Sequence, residues 1–323
     1  MAFTSVLAGL GAVTPSNIVS NEQLAHMIDT SDQWIRERTG IEQRFICDTL
    51  ETTSSLGLAA AKLALQDANL RPQDIDLIIC ATSTPDKTFP ATATLIQAQL
   101  GANIGIAFDI QAVCSGFVYG IGVVDAMLKA GQAKNALLIG ADTFSRILDW
   151  SDRGTCVLFG DGAGACVLRA VDAEEANGKG VLANVLRADG KYADILNVDS
   201  GASSGSRVGK LRMEGQAVFR HAVTNISEAI IDCCAKAGKS VDDIDWFVPH
   251  QANKRILDGV ARRLNIDEAK IVVTVQMHGN TSAASVPLAF DVAKKDGRIK
   301  AGDLVLLEAM GGGLTWGASL IQL

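Results

Sequence analysis

The sequence predicts an α/β protein built from two similar halves. Strand and helix patterns alternate along the chain, and their order in the first half recurs in the second. The distance from a strand–helix junction to a helix-ending glycine also recurs, because Cys114 to Gly131 and Asn280 to Gly297 both span 17 positions. Such alternation is typical of mostly parallel sheets covered by helices. We therefore expect two layered units that pack around shared central helices.

The elements of the first half follow from short apolar runs, which predict buried strands, and from helical spacing of apolar residues. In chain order we expect a helix at 58–68, a strand at 74–80, a helix at 91–100, a strand at 104–110 and a strand at 136–140. A further helix follows Cys114 and should end near Gly131, since glycine commonly follows the last helical turn.

The second half repeats this order. We expect a helix at 223–237, a strand at 243–248, a helix at 253–264, a strand at 270–275 and a strand at 303–308, with a helix between Asn280 and Gly297. On this pattern Cys114 and Asn280 occupy equivalent junctions and converge on one site. The expected boundaries are 1–172 for the half with Cys114 and 173–323 for the half with His250 and Asn280.

Composition argues against several classes of protein. The 323-residue chain is 48% hydrophobic, and its net charge of −7 argues against nucleic acid as a general partner. We see no signal peptide and no apolar run long enough to span a membrane. The seven cysteines lack metal-ligand spacing, so we expect no metal and a reducing, cytoplasmic setting.

Cys114 is the leading candidate for a catalytic nucleophile. It follows the predicted strand at 104–110 and precedes a helix. Unpaired N–H groups and the helix dipole at such a junction favour a thiolate and can bind an oxyanion. The alternative for any cysteine is a small buried residue. We assign that role to the other six, Cys47, Cys80, Cys156, Cys166, Cys233 and Cys234.

Candidate partners of this thiol lie far downstream. His250 follows a predicted strand, Asn280 lies at the second junction, and a run of three glycines occupies 311–313. The remaining histidines are His26 and His221, which lie in helical patterns, and His278, which is a second candidate.

These segments together resemble β-ketoacyl-acyl carrier protein synthase III, of the thiolase superfamily. The resemblance runs from about Ser5 to the C-terminus. Its motifs are Ala112-Val-Cys-Ser-Gly-Phe117, Pro249-His-Gln-Ala-Asn253, His278-Gly-Asn-Thr-Ser-Ala-Ala-Ser285, Gly311-Gly-Gly-Leu-Thr-Trp-Gly317, Asp32-Gln-Trp-Ile-Arg-Glu-Arg-Thr-Gly40 and Phe159-Gly-Asp-Gly-Ala-Gly164. Thiolases themselves place a second cysteine near the C-terminus, and none follows Cys234 here.

The resemblance implies a thiolase-like fold, in which two duplicated βα halves stack as αβαβα layers. It also implies the decarboxylative Claisen condensation that starts fatty-acid synthesis. An acyl group, acetyl as the first expectation, moves from coenzyme A to Cys114. Malonyl-acyl carrier protein then loses carbon dioxide, and its carbanion attacks the acyl-enzyme to give β-ketoacyl-acyl carrier protein. No cofactor is implied, because coenzyme A enters as part of a substrate.

The same resemblance assigns the catalytic roles. Cys114 is the nucleophile, and its backbone N–H and that of Gly312 hold the oxyanion. His250 and Asn280 donate hydrogen bonds to the malonyl thioester oxygen as it becomes an enolate.

Binding residues follow from the resemblance as well. The expected contacts of coenzyme A are Trp34, Arg38, Arg153, Gly215 and Asn253. Trp34 and Arg153 would enclose the adenine ring, and core packing is the alternative for Trp34. Phe89 resembles a residue that reaches the partner subunit's acyl pocket, which implies a homodimer. Met310 lies where many members have Phe, and this flexible side chain leaves the length of the acyl primer open.

Basic residues on the predicted helix at 253–264 suggest a docking surface for an acidic carrier protein. Apolar residues form one stripe of this helix and basic residues lie on the other side. The expected contacts are Lys254, Arg255, Arg262 and Arg263, with Arg255 leading, and Arg220 as a lesser one. The alternative is a charged face that is merely solvated.

Three interpretations of function stay open from the sequence. The first is the condensing enzyme. The second is a related acyltransferase that acylates Cys114 from acyl-CoA without condensing. The third is a non-catalytic protein that binds coenzyme A or a carrier protein. Use of a malonyl donor separates the first from the second, and an acyl-enzyme on Cys114 separates both from the third.

Overall fold

Thirteen strands and ten α-helices, connected by turns and short 3₁₀ segments, make up the part of the chain that the computed structural model describes, residues 2–205 and 207–323. The strands are β1 (Phe3–Val13), β2 (Ile18–Ser20), β3 (Gln43–Phe45), β4 (Leu77–Ala81), β5 (Ile106–Ile110), β6 (Asn135–Asp142), β7 (Gly162–Asp172), β8 (Gly180–Ala188), β9 (Leu196–Val198), β10 (Leu211–Met213), β11 (Trp246–Pro249), β12 (Leu304–Gly311) and β13 (Thr315–Gln322). The helices are α1 (Asn21–Ala25), α2 (Asp32–Thr39), α3 (Thr53–Asp67), α4 (Thr92–Leu100), α5 (Gly116–Lys129), α6 (Arg153–Cys156), α7 (Gly215–Lys236), α8 (Lys254–Leu264), α9 (Val275–His278) and α10 (Ser285–Lys295).

Two larger sheets have matching topology. The first has the order β1-β7-β6-β4-β5, with β4 parallel to both β5 and β6 and with antiparallel pairs at β6–β7 and β1–β7. The second has the order β11-β12-β13-β8, with β11 parallel to β12 and the other pairs antiparallel. Strands β4, β6, β7 and β1 therefore correspond to β11, β12, β13 and β8. The predicted duplication is confirmed.

Helices complete a five-layer arrangement. The largely apolar α5 and α10 lie between the two sheets, where their side chains share one core with Leu138 of the first sheet and Leu307 of the second. Helices α3 and α4 cover the outer face of the first sheet, and α7 and α8 cover that of the second. The expected αβαβα stack is confirmed. Within the described residues, no helix is both long enough and apolar enough to cross a bilayer.

The predicted strand at 270–275 is wrong. Only Ile271 pairs there, through a single parallel bridge to Phe247. The buried side chain of Gln251 satisfies the backbone that a strand partner would otherwise satisfy. Its Nε2 donates to the carbonyl of Val272 at 2.9 Å, and its Oε1 accepts from Thr274 N at 2.7 Å and from the next N–H, where α9 begins. The second sheet consequently lacks a counterpart of β5.

The expected equivalence of Cys114 and Asn280 is also wrong. A residue with left-handed backbone, Val113 (φ 49°) in one half and Ser282 (φ 52°) in the other, begins the 3₁₀ turn that leads into α5 or α10. This pairing makes Ala283 the counterpart of Cys114. Asn280 lies three residues earlier, and the shorter α10 restores the equal distance to the glycine. The two side chains nevertheless reach the same cavity.

Glycines of β7 allow α10 to approach the first sheet closely. A β carbon on Gly164 would lie 2.6 Å from Cβ of Pro287, which is well inside van der Waals contact. Gly162 and Gly164 of the run at 160–164 thus have a packing explanation in their contact with α10.

We predict that Gly164→Ala lowers the free energy of unfolding by about 1–3 kcal/mol, because the added methyl group overpacks the contact with α10. Denaturant unfolding followed by circular dichroism measures the change. The matched control is Gly190→Ala, where an added β carbon meets no atom within 4 Å. Equal stability of the two variants would contradict the packing role.

Candidate active site

Cys114 lies in the turn between β5 and α5, where the sequence places it. Its side chain is buried, and the turn is held by Ser115, whose backbone N and Oγ both donate to the carbonyl of Ala112, at 3.1 and 2.7 Å. The Ser115 hydroxyl also lies 2.8 Å from Oγ1 of Thr315, which bonds the carbonyl of Gly312 at 3.1 Å. These hydroxyls connect the cysteine turn to the glycine run.

The sequence led us to expect a thiolate at Cys114, whereas burial favours the protonated thiol. Burial raises the pKa of Cys114 to about 12, the nearby Ser282 hydroxyl lowers it, and the Asp142 carboxylate raises it further. Loss of solvation therefore outweighs the favourable helix terminus. In the unliganded chain burial thus favours the protonated thiol of Cys114, in opposition to the helix terminus, which favours the thiolate.

His250 directly follows β11 and is a neutral imidazole. Its backbone N–H donates to the carbonyl of Glu308 at 2.8 Å, which fixes the residue beside β12. Burial lowers the pKa of His250 to about 3. Neither ring nitrogen has a hydrogen-bond partner among residues 2–205 and 207–323. The imidazole is thus buried, uncharged and unengaged, and it faces the cavity.

Asn280 has a fixed orientation. Its Oδ1 accepts a hydrogen bond from Ser282 N at 2.9 Å, and its backbone bonds Leu158 and Gly160. Because the oxygen is engaged, the amide NH₂ is the end left to donate to a ligand. Asn280 therefore offers a neutral donor whose direction is set by the turn that follows it.

Cys114, His250 and Asn280 line one cavity of about 580 Å³. All three are almost fully buried, so they lie at its inner end. Apolar side chains from both halves form most of the remaining wall, including Phe144, Val157, Leu158, Phe159, Leu196 and Met310. The pair Phe144 and Phe159 is stacked, with ring centroids 4.7 Å apart. Such a cavity suits an acyl chain and excludes water from the polar groups.

The glycine run approaches the backbone of the cysteine turn. A β carbon on Gly311 would lie 2.6 Å from the backbone nitrogen of Cys114, and one on Gly312 would lie 2.8 Å from the carbonyl of Leu196. Any side chain at these positions would displace the turn. Glycine here lets two backbone segments meet at the thiol, as an oxyanion site requires.

The outer part of the cavity carries the residues expected to bind coenzyme A. Trp34, Arg38, Gly215 and Asn253 all line it. The guanidinium carbons of Arg38 and Arg153 lie 4.8 and 5.3 Å from the centroid of the Trp34 ring. A flat ring enclosed between two groups needs about 7 Å between them. Arg153, whose NH1 donates to the Asp29 carbonyl, must therefore move before Trp34 and Arg153 can enclose an adenine.

Comparison with known proteins decides the family. The profile of 3-oxoacyl-[acyl-carrier-protein] synthase III matches residues 108–190, and that of its C-terminal part matches residues 234–323. A β-ketoacyl-[acyl-carrier-protein] synthase III from Rhizorhabdus wittichii is 58% identical over 318 residues, which cover 98% of this chain and 99% of the relative. The chain belongs to the 3-oxoacyl-[acyl-carrier-protein] synthase III family.

Solved structures of this family have the same fold. The synthase III of Aquifex aeolicus superposes with a TM-score of 0.93 at 45% identity, covering 99% of this chain and 100% of that one. The synthase III of Pseudomonas aeruginosa gives 0.93 at 42% identity, covering 99% and 98%. The predicted family, the thiolase-like fold and the assignment as an acyltransferase are confirmed.

The residues that the family resemblance adds lie in three places. Met310 is buried and lines the cavity, whereas Phe89 is 82% exposed and lies outside it. Arg255 and Arg220 are exposed and line the cavity mouth, with NH2 of Arg255 donating to the Glu37 carbonyl at 2.8 Å. Lys254 pairs with Asp258 within α8, and the remaining basic residues, Arg262 and Arg263, are exposed at the far end of that helix.

Sequence reasoning missed several residues that shape the site. Phe144 and Leu196 lie in cavity walls, and no local pattern marks them. Asp142 and Ser282 lie beside the thiol because the two halves meet there. Glu308 is buried against apolar side chains of α7 and α8, and burial raises its pKa to about 8, so a neutral acid stands in the strand beside His250. Gln251, which holds the backbone before α9, is the one of these residues that a sequence motif could have indicated, because it lies within Pro249–Asn253.

Proposed function

We propose that this chain condenses an acyl-CoA primer, acetyl-CoA first among the candidates, with malonyl-acyl carrier protein and so initiates fatty-acid synthesis. The observation that carries the proposal is the meeting of Cys114, His250 and Asn280 in one apolar cavity. A thiol forms a thioester, two neutral donors bind a developing enolate, and apolar walls hold the acyl group.

In the first half-reaction the sulfur of Cys114 attacks the thioester carbonyl of the primer. A carbon–sulfur bond to Cys114 forms, the bond to coenzyme A breaks, and the proton of the thiol leaves with the coenzyme A thiolate. Backbone N–H groups of Cys114 and Gly312 stabilise the tetrahedral oxyanion, and one such donor typically contributes about 3 kcal/mol. The thiol is protonated at rest, so it must lose its proton as the thioester bond forms.

In the second half-reaction the malonyl carboxylate leaves as carbon dioxide. The electron pair moves into an enolate whose oxygen accepts hydrogen bonds from His250 and from the Asn280 amide. Loss of solvation destabilises the carboxylate more than the delocalised enolate, which favours decarboxylation. The enolate carbon then attacks the acyl-enzyme, and the Cys114 thiolate leaves and is reprotonated. Neutral donors suit this step because they polarise the oxygen without exchanging a proton.

Coenzyme A enters past Trp34 in this proposal. Arg38 and Arg153 supply cationic, flat groups for its adenine and phosphates, while Gly215 and Asn253 line the path of its pantetheine arm. Asn253 also caps α8, its Oδ1 accepting from Arg255 N at 2.9 Å, so its side chain is held in place. The approach of Arg153 to Trp34 in the unliganded chain supports a binding step in which this arginine swings outward.

The carrier protein docks on the basic face of α8. Arg255 and Arg220 flank the mouth through which the carrier's pantetheine must pass, which supports Arg255 as the leading contact. Lys254, Arg262 and Arg263 would extend the positive surface along the helix. Complementary charge of this kind raises association rates more than it raises affinity.

A homodimer accounts for the apolar edge of the first sheet. Within the described residues strand β5 pairs only with β4, so its other edge is open, and Ile104, just before β5, and Phe89, just before α4, are largely exposed. Open, apolar sheet edges are usually covered by a partner.

We also propose residues 1–172 and 173–323 as the two structural units, a cytoplasmic location and activity without a metal or other cofactor.

The two alternative functions predict different experimental results. An acyltransferase that never condenses would form the acyl-enzyme and ignore every malonyl donor. A binding protein without chemistry would form no adduct at all. The free amide of Asn280 and the unengaged His250 favour condensation, because loading of Cys114 alone needs neither group.

Intact-protein mass spectrometry after mixing with acetyl-CoA tests the proposed function. We expect a ~42 Da adduct on the wild type and none on Cys114→Ser, with loss of the adduct when malonyl-acyl carrier protein is added. An adduct only with longer or branched acyl-CoA would keep the mechanism and change the primer. No adduct with any acyl-CoA would exclude Cys114 as the nucleophile.

Arg255→Glu should raise the KM for malonyl-acyl carrier protein by about tenfold and leave acylation by acyl-CoA unchanged, since reversed charge weakens docking alone. Steady-state kinetics and a separate acylation assay make the comparison. The control is Arg71→Glu, an exposed arginine that precedes β4 at the opposite end of the sheet from the site. Equal loss of both half-reactions would rule out the docking assignment.

A further inference from the structure

Asp142 is a fully buried carboxylate at the end of β6, and it ties together the two halves beneath the cavity. Its Oδ1 accepts from Ser83 N at 2.8 Å, from Thr84 N at 3.2 Å, and from the hydroxyls of Thr82 and Thr84, both at 3.0 Å. Its Oδ2 accepts from Ala283 N at 3.2 Å. The first group belongs to the loop after β4, and the second belongs to the other half of the chain.

The bond to Ala283 holds the turn that orients Asn280. Ser282, in the middle of this turn, has the left-handed φ of 52° that non-glycine residues adopt only when their surroundings impose it. The same Ser282 donates its backbone N–H to Oδ1 of Asn280 at 2.9 Å. A chain of contacts therefore runs from the carboxylate of Asp142 through the turn to the amide that we propose as an enolate donor.

The same carboxylate acts on the nucleophile. The turn that contains Ser282 packs against the 3₁₀ turn that contains Cys114 and against β6, which ends at Asp142. Burial is the main cause that raises the pKa of the Cys114 thiol, Ser282 lowers this pKa, and the negative charge of Asp142 raises it further. Burial raises the pKa of Asp142 itself, and the hydrogen bonds from Ser83, Ala283 and Thr84 oppose this effect because they favour the ionised carboxylate.

We infer that Asp142 is a positioning residue, since its bond to the 281–283 turn orients the Asn280 amide for condensation and its carboxylate lies beside the turn that carries Cys114. The inference rests on the proposed roles of Asn280 and Cys114. It concerns a residue that touches no substrate and acts only through the 281–283 turn and through its charge.

Other titratable groups near this carboxylate and the nucleophile must be considered. Cys80, on the neighbouring strand β4, is buried, and the carboxylates of Asp86, Asp109 and Asp142 all raise its pKa. His250 lines the same cavity as the nucleophile and is uncharged. Removal of the Asp142 charge consequently acts on two thiols, and peptide-level detection is needed to separate them.

Asp142→Asn breaks the bond to the turn selectively. The side-chain oxygen stays where four donors converge, and the NH₂ group then faces the N–H of Ala283, so donor meets donor. The charge near the thiol disappears in the same variant. Asp142→Ser is a second variant without the carboxylate. Its smaller side chain leaves room for a water molecule that can accept hydrogen bonds from the freed N–H groups.

Two readouts separate the inference from a merely structural role. The first is the pH profile of iodoacetamide alkylation at Cys114, read by peptide mass spectrometry. We expect its midpoint to fall and the rate at neutral pH to rise about threefold or more. The second is condensation, for which we expect kcat to fall about tenfold or more while the KM for malonyl-acyl carrier protein changes little and acylation is not slowed.

Control variants fix the interpretation. Asp161→Asn removes another fully buried aspartate, which holds Ser145 and Cys47 instead of the 281–283 turn, and should not speed alkylation. Asn280→Ala should lower condensation without a change in the alkylation profile. If neither Asp142 variant folds, the double variant Thr82→Val and Thr84→Val takes their place, because it removes both hydroxyl donors of Asp142 Oδ1, and it should slow condensation while acylation persists.

Parallel loss of alkylation, acylation and condensation, as a damaged fold gives, would overturn the inference, and so would an unchanged alkylation profile. Unchanged condensation in the variant that lacks both threonine hydroxyls would do the same. Failure of the proposed function looks different, because the wild type would then take up no acyl group from any acyl-CoA while its alkylation still responded to Asp142.

Discussion

Loss of solvation at the junction of the two halves governs the chemistry of this protein. Every polar group at the inner end of the cavity lies where charge is costly. The thiol of Cys114 is therefore protonated at rest, with a pKa raised to about 12, and the imidazole of His250 is neutral, with a pKa lowered to about 3. The amide of Asn280 carries no charge in any state. These three side chains are uncharged before substrate binds, and in the proposed mechanism the two donors face the substrate oxygen that becomes negative.

The duplicated fold makes such a site possible. Each half contributes one strand–helix junction, and α5 and α10 bring the two junctions together between the sheets. One half supplies the nucleophile, and the other supplies both proposed enolate donors. Polar contacts join the halves at many places, and the bond from Ala283 N to Asp142 is the one that holds the turn before α10. Close approach depends on glycine, since β carbons at Gly140, Gly164 or Gly311 would each meet atoms of neighbouring segments within 3 Å.

The sequence predicted the fold and most of the inner site, because these depend on local patterns. Apolar periodicity located the strands, and Gly131 and Gly297 do end helices in the left-handed conformation. The motifs singled out Cys114, His250 and Asn280, and all three line one cavity. The strand at 270–275 was predicted wrongly because the side chain of Gln251, distant in sequence, satisfies that backbone. The protonation of the Cys114 thiol depends on burial by both halves. The role of Asp142 depends on a hydrogen bond between residues 141 positions apart in the sequence. No local sequence pattern therefore indicates either feature.

The protonation state of His250 tests the central claim most directly. Nitrogen-15 chemical shifts of the histidine side chains, assigned with His250→Gln, report the charge of each imidazole. The account predicts that His250 stays neutral from about pH 8 down to about pH 5, because its pKa lies near 3. An imidazolium at neutral pH, or a midpoint near the ordinary value for histidine, would show that the cavity is solvated and would contradict the account.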